Sequence, residues 1–129
     1  LLHLGVVPVV ATLGVNSTEG RPFNINADTV AVEIARTLQA ELLLLVTGVG
    51  GVFTKLGDAS TRIGTLSATQ ARALIADGTI AGGMIPKVEE ALTLLDAGVG
   101  AVAILDAALE HAFASAARGD GALGTRLSA

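Results

Sequence analysis

Cysteine, tryptophan and tyrosine do not occur in this chain of 129 residues, and phenylalanine occurs only three times. Without cysteine there is no disulfide framework and no thiolate metal site, which fits a cytosolic protein without a structural zinc. The net charge of −4, with no cluster of basic residues and few aromatic rings, gives no support for a nucleic-acid-binding surface. Nucleic acid is therefore not an expected partner.

Long apolar runs are lacking as well. The apolar run at 42–46 is far shorter than the roughly 20 residues that span a bilayer, and no signal-peptide pattern occurs. A membrane partner is therefore not expected. The length fits one domain with a real core. Because the chain begins inside an apolar run without an initiator methionine, we expect it to be part of a longer protein.

Apolar segments typical of buried strands alternate with segments of helical periodicity. Strands are expected at 5–11, 42–47 and 100–105, with a final extended segment at 122–127. Helices are expected at about 27–40, 68–77, 86–97 and 107–117. This alternation predicts an α/β protein with a mostly parallel sheet covered by helices on both faces. In such sheets ligands bind at the carboxyl ends of the strands.

Turn and cap residues indicate where the elements end. Polar residues at 14–24 predict a hairpin with its tip at Glu19 and Gly20, and a smaller hairpin is expected within 53–63. Ser67 and Gln70 form a capping-box pattern, with a helix stop at Gly78.

The segment from Gly82 to Lys87 predicts an anion site. Two glycines allow close approach of the backbone, Pro86 suits the first position of a helix, and Lys87 falls in its first turn. The free N–H groups and the positive dipole end of such a turn favour phosphate. The alternative is a solvated lysine after a flexible Gly-Gly linker. The spacing does not match a Walker A loop, because Val88 stands where Ser or Thr would hold magnesium.

A second glycine-rich segment, 48–51, follows the second expected strand. It does not match the dinucleotide fingerprint, because Phe53 stands where the third glycine would be. It does lie where a ligand is expected in an α/β sheet, at the carboxyl end of a strand. We therefore take it as a second candidate part of the same site.

Three polar residues, Asn24, Asn26 and Asp28, alternate with apolar ones, so an extended chain would point all three to one side. The functional interpretation is that the asparagines donate hydrogen bonds to a substrate carboxylate or phosphoryl oxygen while Asp28 orients a lysine. The structural interpretation is that Asn26 caps the following helix and Asp28 is a favourable first-turn acid. His111 is expected on a helix surface, as an exposed or capping histidine rather than a functional one.

Five motifs, in order and at matching spacing, carry a resemblance to a known family. They are PVV at 8–10, FNINAD at 23–28, TGVGGV at 47–52, IAGGMIPKV at 80–88 and GTR at 124–126. The chain resembles the C-terminal half of the acetylglutamate kinases, members of the amino acid kinase family. The resemblance implies a three-layer αβα sandwich in which residues 1–129 are the ATP-binding domain, the acceptor-binding half being absent. It also implies ATP with nucleotide-bound Mg²⁺, and phosphorylation of the side-chain carboxylate of N-acetyl-L-glutamate in arginine biosynthesis.

The resemblance also implies roles for particular residues. Asn24 and Asn26 would bind acetylglutamate, Asp28 would position two lysines, and Lys87 would stabilise the transferring phosphoryl group. The nucleotide would be held by Thr47, Gly48, Val49, Gly51, Val52, Phe53, Gly83, Met84 and Lys87, with no metal bound directly by the protein. At Gly48 the chain departs from the aspartate that is usual in the family.

Two alternatives remain open at the level of sequence. The first is a kinase that acts on a carrier-linked aminoadipate or glutamate and shares the same machinery. The second is a regulatory module that binds a nucleotide without catalysis, favoured by Gly48 and by the missing N-terminal half. The family resemblance also implies a homo-oligomer for the full-length enzyme.

Overall fold

The computed structural model of the chain describes residues 2–55, 57–119 and 121–129. The chain divides into two compact units, residues 1–31 and residues 32–129. Within the described residues, none of the helices has the length and apolar character needed to cross a membrane.

The first unit contains a 3-10 turn at Leu2–Leu4 and a hairpin of two short strands, β1 (Leu13–Val15) and β2 (Pro22–Asn24). The strands are antiparallel, with Leu13 opposite Asn24. Between them the side chain of Asn16 accepts hydrogen bonds from the backbone N–H groups of Thr18 and Glu19. The predicted hairpin and its tip are confirmed.

The strand predicted at 5–11 is wrong. This segment has no regular secondary structure, and its valines are exposed, Val9 to 97%. A strand needs a neighbour for its N–H and C=O groups, and Pro8 has no N–H to offer. Among the described residues, pairing begins only where the N–H of Ile25 donates to the carbonyl of Thr12, at 2.8 Å. Apolar composition alone therefore gave a false strand.

Helix α1 (Ala27–Leu38) follows β2. Its residues 27–31 are assigned to the first unit and its residues 32–38 to the second. The remaining elements of the second unit are β3 (Leu43–Val46), β4 (Val52–Phe53), a 3-10 turn (Ala59–Thr61), β5 (Arg62–Ile63), β6 (Thr65–Ser67), α2 (Ala68–Ala76), α3 (Met84–Asp96), β7 (Ala101–Leu105), α4 (Ala112–Arg118) and β8 (Gly124–Ser128).

The main sheet of the second unit has the strand order β3-β7-β8-β6. The pairs β3/β7 and β6/β8 are parallel, whereas β7/β8 is antiparallel. The sheet is therefore mixed and mostly parallel, as predicted. Strands β4 and β5 form the separate antiparallel hairpin expected within 53–63. Strand β6, which is too short to stand out in the sequence, was not predicted.

Strand β7 contributes side chains to a hydrophobic core on each face of the sheet, and all of its residues are buried. Val102 and Ile104 belong to a core shared with α2 and α3, whereas Ala103 and Leu105 pack in a second core with Ala112 of α4. Because alternate residues of a strand point to opposite faces, helices cover both faces of the sheet. The three-layer αβα arrangement is confirmed.

Most helix ends follow the predicted signals. Ser67 and Gln70 form the capping box at the start of α2, and Gly98, with φ of 91°, follows the C-cap of α3. Helix α4, however, begins at Ala112 rather than at 107. The Asp106 carboxylate accepts a hydrogen bond from the N–H of Ala108, and His111 has a left-handed φ of 63°. The Asp106 bond is of the N-cap type, but the left-handed φ of His111 interrupts the helical path, so only a short turn follows Asp106 and the helix begins after His111. His111 is therefore not on the helix surface but is the exposed N-cap residue of α4, without a side-chain cap bond.

Candidate functional site

A pocket of about 400 Å³ lies within the second unit, beside the start of α3. This volume falls within the roughly 300–1,000 Å³ of small-molecule sites. Its lining comes from two stretches of chain, the turn around β4 and the loop that leads into α3. The lining residues are Val49, Phe53, Thr79, Ile80, Ala81, Gly82, Gly83, Met84 and Lys87.

Lys87 is the cation of this pocket. It lies one residue before Val88, and Val88, Ala91, Leu92 and Leu95 form the buried face that fixes α3 on the core. The next residue along a helix is rotated by about 100° from the buried face, so Lys87 borders the pocket and is half-buried. Its charge is thus held by a helix that packing keeps in place.

The start of α3 differs from the prediction in one respect. The helix begins at Met84, so Pro86 is its third residue rather than its first. The N–H groups of Met84 and Ile85 donate to the carbonyl oxygens of Ala81 and Gly82, and Pro86 has no N–H. An anion at this helix start would therefore be attracted by Lys87 and the helix dipole more than by a row of unpaired amides. The N-cap residue is Gly83, which has no side chain to accept a hydrogen bond from the first turn.

Gly82 and Gly83 leave the backbone open on the pocket side. A Cβ atom built on either glycine would meet nothing within 4 Å, so a ligand can approach the main chain there. Gly82 also has a positive φ of 58°, a conformation that favours glycine. The loop thus combines close access with a turn that other residues would strain.

The turn after β3 is held by its own hydrogen bonds. The Thr47 hydroxyl accepts from the N–H groups of Val49 and Gly50, each at 3.2 Å, and the Thr47 N–H donates to the carbonyl of Leu105. A Cβ on Gly50 would lie 2.8 Å from the Cβ of Asp106. Only glycine therefore lets this turn pack on the end of β7.

Five of the residues predicted for the nucleotide line the pocket together: Val49, Phe53, Gly83, Met84 and Lys87. Thr47, Gly48 and Gly51 belong to the adjoining turn and Val52 begins β4, and none of the four lines the pocket. Sequence reasoning missed the lining residues Thr79, Ile80 and Ala81. The sequence signal that could have found them is the stop of α2 at Gly78, because the residues between that stop and α3 must form the connecting loop.

The loop through these missed residues is held at Asp77, the C-cap of α2. Its carboxylate accepts a hydrogen bond from the backbone N–H of Thr79 at 2.9 Å, and this bond lowers the pKa of Asp77 below its usual value. The N–H of Ile80 donates to the carbonyl of Leu74. The pocket wall is thus attached to a capped helix.

Asn24, Asn26 and Asp28 belong to the first unit. Asn24 ends β2, but α1 begins at Ala27, so the three do not follow one extended chain as predicted. The side-chain oxygen of Asn26 accepts from the N–H groups of Asp28 and Thr29, which confirms its capping role. Binding of substrate would use the amide N–H of Asn26 instead, and that role stays a prediction. Among the described residues, no three His, Asp or Glu side chains cluster as a metal site would require.

The second unit is an α/β layer structure in which a lysine at a helix start and two glycine-bearing loops border one pocket. Residues 1–106 match the model of the amino acid kinase family. The chain belongs to that family.

Curated relatives narrow the similarity. The chain is 52% identical over 107 residues to the acetylglutamate kinase of Ruegeria pomeroyi, which covers 83% of this chain and 36% of the relative. It is 42% identical over 125 residues to that of a Synechococcus species, covering 97% of this chain and 43% of the relative. The chain thus spans well under half the length of these relatives.

Solved structures agree on the fold. N-acetylglutamate synthase from Neisseria gonorrhoeae, complexed with coenzyme A and L-arginine, superposes with a TM-score of 0.72 at 28% identity, over 91% of this chain and 26% of that one. Carbamate kinase from Giardia lamblia bound to AMP-PNP superposes with a TM-score of 0.63 at 25% identity, over 85% of this chain and 35% of that one.

Proposed function

We propose that this chain is the nucleotide-binding half of an acetylglutamate kinase, which phosphorylates the side-chain carboxylate of N-acetyl-L-glutamate in arginine biosynthesis. The observation that carries the proposal is the pocket in which Lys87 meets the two glycine-bearing loops. The similarity to acetylglutamate kinases over most of the chain supports the choice of acceptor.

ATP is the donor that we propose for this pocket, and it supplies the γ-phosphoryl group. Phe53, Val49 and Met84 offer apolar surface for a base and sugar, while Lys87 and the dipole of α3 suit phosphate. Mg²⁺ would be held through the phosphate oxygens of the nucleotide rather than by a cluster of protein carboxylates. The carbamate kinase that binds AMP-PNP with the same fold supports a nucleotide in this family.

Phosphoryl transfer needs positioning and cations around the developing charge, and little covalent help from the protein. In this proposal the Lys87 ammonium neutralises charge on the moving phosphoryl oxygens. Because the packing of α3 fixes the lysine beforehand, little reorganisation is needed during the reaction. The full-length enzyme would supply a second cation and the rest of the acceptor site.

We place the acceptor next to Asn24 and Asn26, whose side-chain amides can donate hydrogen bonds to a carboxylate. Asp28, in the first turn of α1, would orient lysine side chains through its negative charge. These roles rest on the family resemblance and on the capped, defined start of α1.

The test is a coupled ADP-release assay of the full-length protein with MgATP and either N-acetyl-L-glutamate or a carrier-linked aminoadipate or glutamate. We expect turnover with free acetylglutamate and little with the carrier-linked substrates. Turnover only with a carrier-linked substrate would show that the proposed acceptor is wrong, while the proposed nucleotide site would stand.

A second candidate is a regulatory module that binds small molecules without catalysis. The fold match to the N-acetylglutamate synthase complexed with coenzyme A and L-arginine favours it, as does Gly48 in the nucleotide-side turn. A full-length protein that binds MgADP or L-arginine in calorimetric titration, yet phosphorylates none of these acceptors, would support this candidate.

A further inference from the structure

Thr125 is a buried residue of β8 whose hydroxyl makes two hydrogen bonds to other strands. It accepts from the backbone N–H of Val52 at 2.8 Å and donates to the carbonyl oxygen of Ile63 at 2.6 Å. Its exposure is 1%. Val52 and Ile63 are themselves opposite each other in the β4/β5 hairpin. One hydroxyl group therefore ties the hairpin to the main sheet.

The chemistry of the position requires a hydroxyl. The group must donate to a carbonyl and accept from an amide through one atom, which a methyl group cannot do. Replacement by a methyl would remove one hydrogen bond from the N–H of Val52 and one from the C=O of Ile63 at a buried position, and hydrogen bonds lost there are costly. Gly51 makes room for the hydroxyl, because a Cβ there would lie 2.9 Å from the Thr125 oxygen.

The tied strand borders the candidate pocket. Val52 is followed by Phe53, and the turn before it carries Val49, and both of these side chains line the pocket opposite α3. β4 is only a two-residue strand, so its own pairing gives little rigidity. The bond from the main sheet through Thr125 is therefore placed to fix this wall.

We propose that the Thr125 hydroxyl is a positioning group for the nucleotide: it holds the glycine-bearing turn and β4 so that Val49 and Phe53 keep the pocket open for the base and sugar. The inference rests on the proposed function for its ligand but not for the hydrogen bonds themselves. It assigns a role to the GTR motif at 124–126 that the pocket lining does not explain.

The experiment compares Thr125→Val, which keeps the shape and removes the hydroxyl, with Thr125→Ser, which keeps the hydroxyl. MgADP affinity is measured by calorimetric titration, and protection of the Val52 amide by hydrogen exchange. We expect the valine variant to bind MgADP about tenfold more weakly and to lose protection at Val52, with the serine variant within about threefold of the unaltered chain.

Thr61→Val is the matched control. The Thr61 hydroxyl also accepts from a backbone N–H, that of Lys55, and donates to a backbone carbonyl, that of Asp58, but at the far end of the same hairpin. It should leave MgADP affinity unchanged. Val102→Ala, which removes buried methyl groups from β7, controls for general loss of stability and should lower the Tm without changing the affinity.

Unchanged affinity in Thr125→Val, or a serine variant as impaired as the valine variant, would overturn the positioning role. If the unaltered chain binds no nucleotide, the proposed function is refuted rather than the role of Thr125. Hydrogen exchange at Val52 still tests the hydrogen bond to the Thr125 hydroxyl. If the valine variant does not fold, the unaltered chain decides: the Val52 amide must exchange far more slowly than that of Lys55, and equal rates would refute the bond.

Discussion

The two lysines of the chain illustrate how position decides the role of a residue. Lys55 lies exposed in the β4/β5 hairpin, whereas Lys87 is half-buried at the pocket and fixed by α3. Both have the same charge and flexible stem. Only Lys87 lines the pocket in which we propose that the nucleotide binds.

We predict that Lys87→Met in the full-length protein will lower kcat by about two orders of magnitude or more, because the charge acts mainly on the transition state. Binding of acetylglutamate should change little. Lys55→Met is the control and should keep the rate. Steady-state kinetics of both variants test this, and an unchanged kcat in Lys87→Met would remove the lysine from the mechanism.

Asp28→Asn should lower the turnover of the full-length protein at least about tenfold, because the acid is proposed to hold cations close together. The control on the same helix is Glu33→Gln, which breaks the exposed pair between Glu33 and Arg36 and should keep the rate. If Asp28→Asn loses only thermal stability, the acid serves the helix start alone.

Gly48 can be tested by introducing the aspartate that the family resemblance implies at this position. Its φ lies outside the left-handed region, and a Cβ there would meet nothing within 4 Å, so Gly48→Asp should fold without strain. One added hydrogen bond is worth about 1 kcal/mol, so MgADP should bind about fivefold more tightly. Calorimetric titration measures this, with Gly48→Ala as the control that adds no acceptor. Equal affinities for the two variants would count against a polar contact at this position.

At the scale of elements, α2 depends on a local signal that the sequence shows fully. Ser67→Ala removes the side-chain half of the capping box and should cost about 1 kcal/mol of unfolding free energy. Urea unfolding measures the loss, and Thr69→Ala, on the exposed side of the same helix, should cost less. MgADP affinity should be unchanged in both, since neither residue lines the pocket. An equal loss in both variants would mean that the cap contributes nothing.

Helices with caps were predicted well because a cap is a contact between residues close in sequence. Helix α4 was not, because the left-handed φ of His111 interrupts the helix that Asp106 could otherwise cap. A run of alanine residues gave a helical pattern across a turn that ends only at Ala112. The start of α3 moved by two residues for a similar reason, since Met84 and Ile85 already bond to the preceding loop.

For the whole molecule, we predict that the isolated 129 residues bind MgADP weakly and phosphorylate no acetylglutamate. In-line transfer requires both reactants to be held, with cations on more than one side of the phosphoryl group. The curated relatives are more than twice as long, which leaves room for the missing groups. Calorimetric titration with MgADP and a coupled ADP-release assay test the two halves. Turnover by this chain alone would place the acceptor site within these residues.

The sequence by itself determined the class of fold, the order of most elements and the two glycine-bearing loops, because periodicity, caps and turn residues are local. Tertiary structure decided the rest. Whether the apolar run at 5–11 forms a strand depends on a neighbour to pair with, which its composition cannot specify. Likewise, the hydroxyl of Thr125 meets the N–H of Val52 across 73 positions of sequence, and only folding brings such distant groups to one hydrogen bond.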